Sequence, residues 1–127
     1  MARKVMKVGI MPYREMKART IAIARGRYKP SPDEPKVWFR SLRSLASVLS
    51  EQNQALLQAI RERNPESIAE LEKITGRAAS NLTRTLRTLE HYGLVALEPA
   101  KAAAGKAGRA RLKPVVLADA VDLEMSF

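Results

Sequence analysis

The sequence predicts an α+β fold that is mainly α-helical, and three features of its 127 residues support this prediction. Apolar residues recur at helical spacing in five segments between residues 13 and 92. Glycines, prolines and serines of the kinds that end or begin helices separate these segments. Short apolar runs that are typical of strands precede the first helical segment and come after the last one.

Residues 1–40 are expected to form an N-terminal strand-helix-strand extension. Residues 5–11 mix apolar and polar side chains as a short strand does, and a proline then marks the start of a helix. This helix should run from about Tyr13 to Arg25 and end before Gly26, which suits the position after a helix C-terminus. A proline-rich loop and a brief second strand at residues 37–39 complete the extension.

Two short helices are predicted next, and each begins after a serine that can cap it. Ser41 precedes the first, which would bury Leu42, Leu45 and Leu49. Ser50 precedes the second, which should continue to about Arg63. Asn64 and the proline after it end that helix, because the residue before a proline disfavours the helical conformation.

Residues 67–93 form the most informative segment. Ser67 and Glu70 have the spacing of a capping box, in which each side chain accepts a hydrogen bond from a free backbone N–H at a helix start. The short helix meets Gly76, and a second helix should run from about Ala78 to Tyr92. The apolar stripe of that second helix consists of Leu82, Leu86 and Leu89. A helix, a glycine-containing turn and an amphipathic helix together predict a helix-turn-helix.

A two-stranded hairpin is expected after this helix pair and would make it the winged variant. Residues 94–97 have the pattern of a strand, and residues 111–117 can return as its partner. The predicted wing therefore spans about residues 94–117, and the predicted DNA-binding domain spans residues 41–117. Residues 118–127 contain three acids and no base, so we expect an acidic C-terminal tail.

The charge of the chain favours a polyanionic partner. Lys and Arg number 23 against 13 Asp and Glu, which gives a net charge of +10. Such an excess suits nucleic acid or an anionic membrane surface, and no apolar run is long enough to predict a membrane span. There is no cysteine and only one histidine, His91, so we expect no metal site, no cofactor and no enzymatic activity. A cytoplasmic, nucleoid-associated protein is the expectation.

The second helix of the pair presents a face of hydrogen-bond donors opposite its leucine stripe. Arginine can bind guanine, and asparagine can bind adenine, through paired hydrogen bonds in the major groove of double-stranded DNA. We therefore predict base or phosphate contacts from Arg77, Ser80, Asn81, Arg84 and Arg87. The basic residues of the wing are expected to contact phosphates or the minor groove. These wing residues are Lys101, Lys106, Arg109 and Arg111.

The N-terminal extension is expected to bind a partner, because residues 1–40 hold 11 basic and 3 acidic residues and also carry apolar side chains. Dimer or partner contacts are predicted at Met16, Ile21, Ile23, Trp38 and Phe39. Three partners stay open at this point: a second copy of the chain, an acidic protein, and DNA.

Two parts of the sequence resemble known proteins. The helix pair and the start of the strand after it resemble the core of MarR-type winged-helix regulators, through residues 67–71, 75–77, 80–86, 89–90 and 92–95. Residues 7–11, 15–19 and 35–39 are similar to a family of small prokaryotic predicted DNA-binding regulators, some of which resemble antitoxins. One position departs from the usual pattern: Glu72 stands where many such helix pairs have alanine, which predicts a wider helix crossing or an outward-pointing carboxylate.

The residues and the resemblance lead to one expected function and two alternatives. We expect a sequence-specific DNA-binding transcriptional regulator that represses as a homodimer, and that could be the autorepressing antitoxin of a toxin–antitoxin pair. The first alternative is an interaction protein whose main role is toxin neutralisation. The second is a nonspecific DNA-binding protein of the nucleoid type, which the Lys, Ala and Gly of residues 99–110 would suit.

Overall fold

The computed structural model describes residues 4–99 and 112–127, and it shows a mixed α and β protein, as predicted. The predicted helices and strands up to residue 99 are all present within a residue or two of their expected ends. No helix in the described part of the chain has both the length and the apolar character needed to cross a membrane. The elements are β1 (Val5–Ile10), α1 (Tyr13–Ala24), β2 (Val37–Phe39), α2 (Leu42–Val48), α3 (Glu51–Arg63), α4 (Ile68–Thr75), α5 (Ala79–His91), β3 (Val95–Pro99), β4 (Leu112–Val116) and β5 (Ala120–Met125).

The chain divides into two compact units whose boundaries differ from the predicted ones. The sheet unit contains the residues up to Ser47 together with Ala118–Phe127, and the helical unit is Val48–Leu117. Most of α2 therefore belongs with the N-terminal residues, whereas the sequence predicts it in the DNA-binding domain. The predicted acidic tail is largely a strand, β5, in the same unit as β1. Pairing between residues 115 positions apart, such as Val5 and Ala120, leaves no local pattern in a sequence, which is why β5 was not predicted.

The sheet unit is built on a three-stranded parallel sheet with β1 in the centre. Phe39 of β2 pairs with Ile10 of β1, and Met125 of β5 pairs with the same residue on the other side. At the start of β5, Asp119 and Lys4 exchange hydrogen bonds: the Lys4 N–H donates to the Asp119 carboxylate at 2.7 Å, and the Asp119 N–H donates to the Lys4 carbonyl at 2.7 Å. Residues near the two ends of the chain are thereby held together.

Trp38 occupies the space above a glycine of the central strand. A Cβ atom on Gly9 would overlap with the indole ring, so this position accepts no larger side chain without displacement of Trp38. The guanidinium of Arg19 in α1 lies over the same ring at 5.3 Å and also pairs with Glu34 at 2.9 Å. Cation–π and ionic contacts from one arginine thus tie α1 to the segment around β2.

The helical unit has a leucine-rich core that α3, α4, α5 and β3 share. Its fully or almost fully buried side chains include Leu56, Ile60, Pro65, Leu71, Leu82, Leu86, Leu89, Leu94, Val95 and Pro114. The predicted serine caps are present: the Ser50 hydroxyl accepts a hydrogen bond from the Asn53 N–H at 3.2 Å, and Ser67 accepts one from the Glu70 N–H at 3.1 Å. The second half of the capping box differs, because Glu70 accepts from the N–H of Glu66 at 3.2 Å.

The last two strands of the helical unit pair with each other. β3 and β4 are antiparallel, with Val95 opposite Val116 and Pro99 opposite Leu112. Beyond the paired residues, the Leu117 N–H donates to the Leu94 carbonyl at 2.9 Å and extends the pairing toward α5. The pairing therefore begins at Leu94, directly after Gly93 in the turn that follows α5.

Candidate nucleic-acid interface

Helix α5 is fixed to its own unit by the predicted leucine stripe. Leu82, Leu86 and Leu89 are each 0% exposed, so one face of the helix lies wholly within the core. The turn before α5 contains Gly76 at φ = 74°, a left-handed conformation that glycine adopts without a steric cost. The orientation of α5 about its axis is therefore set by packing, and this determines which side chains face outward.

The opposite face of α5 is exposed and polar. The structure leaves Ser80, Arg84 and Arg87 exposed, as the helical spacing predicts. Thr88 and His91 are exposed beside them, so the face runs the whole length of the helix. Two guanidinium groups, the Ser80 hydroxyl and an imidazole are the donors that this face offers to a ligand, because the Thr88 hydroxyl already donates to the Arg84 carbonyl at 3.2 Å.

Two of the predicted contact residues bind each other. The Arg77 Nε and Nη2 atoms donate to the Asn81 side-chain oxygen at 2.9 and 2.7 Å, and Nη2 also donates to the Thr85 hydroxyl at 3.1 Å. Arg77 is half-buried and therefore does not share the exposed face with Arg84. Helical spacing predicts Arg77 on that face, but this residue lies in the turn before α5, where the spacing does not apply.

A carboxylate lies beside the C-terminal end of the exposed face. The Arg87 guanidinium pairs with Glu90 at 3.1 Å, an i, i+3 contact on the same helix. Both side chains are well exposed, and ion pairs of this kind contribute only about 0–1 kcal/mol. The pair nevertheless lowers the positive charge at the C-terminal end of the face, so Arg84 becomes its principal cation.

Glu72 points to the start of α5, which the sequence did not predict. Its carboxylate accepts a hydrogen bond from the Ala79 N–H at 3.1 Å. The residue before α5, Ala78, has no side-chain group that can cap the helix, so Glu72 supplies the acceptor from α4. Position 78 holds alanine and not Ser, Thr, Asp or Asn, and this missing cap is the signal that could have identified Glu72 as the acceptor for the start of α5.

The predicted wing is only partly within the described residues. Lys101, Lys106, Arg109 and Arg111 lie outside them, so their predicted contacts are not addressed by the structure. Lys113 in β4 is described, and its ammonium group pairs with Glu66 at 3.3 Å. That pair joins the returning strand to the segment just before α4.

The residues predicted for dimer or partner contact differ widely in exposure. Phe39 is only 3% exposed, so it cannot contact a partner, and the prediction for this residue is corrected. Its pairing with the central strand β1 places it within the sheet unit, which explains the burial. Trp38, Met16 and Ile23 are half-buried, whereas Ile21 is 42% exposed. Other exposed apolar residues of the sheet unit include Tyr13, Leu123 and Met125, which the sequence did not single out. Leu42 was predicted to be buried but is 50% exposed, because it is the first residue of α2 and lies at the end of that helix.

Comparisons with known proteins give one result. The sequence model of the HVO_A0114 family matches residues 48–123, which cover the helical unit and extend into β5. No curated protein and no solved structure matches the chain. Because the match includes more than half of the sequence, the chain belongs to the HVO_A0114 family.

Proposed function

We propose that the protein is a sequence-specific regulator of transcription that binds double-stranded DNA, and that its helical unit is a winged helix-turn-helix. In this proposal α4 and α5 are the helix pair, and α5 enters the major groove. The strands β3 and β4 are the base of the wing. The resemblance of residues 67–95 to MarR-type regulators supports the same assignment.

The observation that carries the proposal is the asymmetry of α5. Three leucines with no exposed surface pack one face of α5 into the core, and the opposite face exposes hydrogen-bond donors along the helix. The major groove is about 12 Å wide and accepts one α-helix, and it presents acceptors on guanine and adenine to such donors. Because packing of the leucines already fixes α5, its exposed donors can contact base edges with little further loss of conformational entropy.

Arg84 is the residue of this face that we assign to a base edge. It lies in the middle of α5, is exposed, and has no ion-pair partner within residues 4–99 and 112–127. Arg77 and Arg87 are both engaged by neighbouring side chains, so they are less free to reach DNA. A guanidinium can bind both acceptors of one guanine, which makes Arg84 a determinant of sequence preference.

The proposal includes a homodimeric repressor, in which each copy contributes one α5 to a half-site. Two half-sites would lie about 34–36 Å apart, one turn of the DNA helix. Apolar side chains that the sheet unit exposes, among them Tyr13 (58%) and Ile21, support an interface there. The basic residues of the wing would add phosphate contacts that carry no sequence information.

A second candidate is the autorepressing antitoxin of a toxin–antitoxin pair. The division into two compact units favours it, because a DNA-binding unit and a separate unit with exposed apolar and basic side chains can serve two partners. Both functions are compatible, since the same chain can bind its operator through α5 and a toxin through the sheet unit. Co-purification of the chain with the product of the neighbouring gene tests this candidate.

The DNA-binding proposal is tested by selecting preferred duplexes from a random pool and measuring affinity by fluorescence anisotropy. We expect Arg84→Ala to lose about 1–3 kcal/mol of binding free energy and to relax the preference at one position. The matched control is Arg63→Ala, which removes an exposed arginine from α3 in the same unit.

Two results would contradict this proposal in different ways. Equal affinity and selectivity for wild type and Arg84→Ala would show that α5 does not contact bases through Arg84. A pool from which no sequence is enriched, with binding that falls steeply as salt rises, would favour the nonspecific nucleoid-type alternative.

A further inference from the structure

Strand β5 forms one edge of the parallel sheet. In the order β2–β1–β5 it pairs with β1 on one side, and no strand within residues 4–99 and 112–127 pairs with its other side. Alternate residues of an edge strand present backbone N–H and C=O groups that can pair with another extended segment. Proteins bind partners in this way when a segment of the partner adds a strand to an exposed sheet edge.

The apolar face of the sheet is buried over β1 and β2 but exposed over β5. The register places Leu123 beside Val8, and paired residues of neighbouring strands point to the same side of a sheet. Val8 is 2% exposed and Phe39 of β2 is 3% exposed, whereas Leu123 is 45% exposed. Met125, two residues further along β5, is 40% exposed on the same side. An added strand would cover these two apolar side chains of β5.

The opposite face of β5 carries two carboxylates. Asp122 and Glu124 alternate with the apolar residues, are exposed, and have no ion-pair partner in the described part of the chain. They line a cavity of about 240 Å³, which is below the range of about 300–1,000 Å³ usual for small-ligand sites. The other lining residues are Lys7, Asp33, Pro35 and Leu123. A cavity of this size suits one side chain of a partner better than a separate ligand.

The charge of this edge is opposite to that of the whole chain. The net charge is +10, yet residues 118–127 contain three acids and no base. The only lysine among the described residues that line the cavity, Lys7, donates to the Asp33 backbone carbonyl at 3.2 Å and does not pair with the two carboxylates of β5. A basic partner is repelled by the rest of the chain, so its attraction has to come from this edge.

A second copy of β5 does not complement this edge. In the antiparallel register that keeps the apolar side chains on one face, Leu123 lies opposite its own counterpart. Asp122 of each strand then lies opposite Glu124 of the other, which places four carboxylates on the same face. Like charges directly opposite each other destabilise a sheet. The edge therefore fits a strand with a different sequence.

We propose that the unpaired edge of β5 binds an extended segment of another protein in which basic and apolar residues alternate. The segment pairs its backbone with β5 and becomes the fourth strand of the sheet. Its basic side chains lie beside Asp122 and Glu124, and its apolar side chains cover Leu123 and Met125. This surface is separate from the exposed residues of α1 that support the proposed dimer, and it does not rest on the DNA-binding function.

The test uses the isotope-labelled full-length chain without DNA. The probe is an end-blocked octapeptide in which lysine and valine alternate, titrated to about 5 mM while the backbone amide NMR signals are followed. We expect saturable shifts that are largest for residues 122–125. A peptide of the same composition, with all lysines before all valines, should bind roughly fivefold more weakly or worse because its side chains cannot match both faces.

A third peptide separates backbone pairing from charge attraction. It has the alternating sequence with every backbone nitrogen methylated, so it keeps the lysine charges but donates no backbone hydrogen bond. We expect it to bind roughly tenfold more weakly or worse than the unmethylated peptide.

A double variant tests the two carboxylates. Asp122→Asn with Glu124→Gln removes two exposed charges without changing the size of the side chains, and it should weaken binding of the alternating peptide by roughly fivefold or more. Glu51→Gln with Glu62→Gln is the matched control, because it changes the net charge equally through exposed residues of α3. Its affinity should equal that of wild type. The peptide comparisons on wild type decide the question if the double variant fails to fold.

Four results would overturn the proposal. The alternating peptide leaves residues 122–125 unshifted; or the block or methylated peptide binds as well; or the folded double variant at β5 binds as well as wild type; or the same signals shift with protein concentration in the absence of peptide, which would make a second copy the occupant. Saturable binding of the alternating peptide, with the losses expected for the other peptides and for a folded double variant, supports it.

Discussion

Helices α5 and α1 have similar lengths but are held in very different ways. α5 has three side chains with no exposed surface, whereas none of the residues described for α1, Tyr13–Ala24, is fully buried. α1 is instead attached through Arg19, which lies over Trp38 and pairs with Glu34. A helix anchored by burial has one defined outward face, while a helix anchored at its edge leaves apolar residues such as Ile21 exposed. The first arrangement suits a fixed contact with DNA, and the second suits a surface that a partner covers.

The largest expected effect is on stability and is specific to α5. Leu86→Ala removes a fully buried side chain from the middle of the stripe and should cost about 2–5 kcal/mol in the free energy of unfolding. The matched change in α1 is Ile23→Ala, where the side chain is only half-buried and the cost should be clearly smaller. Urea denaturation monitored by circular dichroism measures both. Equal losses for the two variants would contradict the contrast between the helices.

The next effect concerns the sheet unit alone. Gly9→Val places a side chain where Trp38 now lies, and overpacking of this kind costs about 1–3 kcal/mol. Because Trp38 is the only tryptophan, its fluorescence reports on this unit. We expect a shifted emission maximum in Gly9→Val and no such shift in Leu86→Ala under native conditions. Unchanged emission in Gly9→Val would mean that the close approach of Gly9 and Trp38 is absent in solution.

The smallest expected effect concerns the start of α5. Glu72→Gln keeps an acceptor for the Ala79 N–H but removes the negative charge, which should cost about 0.3–1 kcal/mol through the lost interaction with the helix dipole. If α5 binds DNA as proposed, the same change should increase duplex affinity several-fold, because a carboxylate no longer opposes the phosphates. Anisotropy titrations measure the affinity, and Glu62→Gln on α3 is the control. A weaker or equal affinity in Glu72→Gln would place the phosphates away from this end of α5.

The order of helices and strands could be predicted from the sequence because the signals that define them are local. Ser50 and Ser67 cap the helices that they precede, and Gly26, Gly76 and Gly93 all adopt the positive φ that suits the turn after a helix. The leucines at positions 82, 86 and 89 are buried as their spacing predicts. Each of these features involves residues within one or two helical turns of each other.

The candidate site was predicted only in part, for the same reason. Ser80, Arg84 and Arg87 lie on the exposed face because regular helical geometry places them there. Arg77 lies in the turn before α5 and donates hydrogen bonds to the side chains of Asn81 and Thr85. The Glu72 carboxylate on α4 accepts a hydrogen bond from the Ala79 N–H at the start of α5. Side chains in turns and contacts between helices do not obey the period of a single helix, so spacing alone misplaces them.

The sequence by itself determined where the helices begin and end, which face of α5 is apolar, and that the chain is strongly basic. Only the tertiary structure decided that β5 joins β1 in a parallel sheet, that Phe39 is buried, and that the chain forms two units, with the residues of the helical one inserted between the two sequence segments of the other. Capping and amphipathic spacing act over a few residues and depend only on their order along the chain. Strand pairing between the two ends, and the burial that results from it, depend on which distant residues meet when the chain folds.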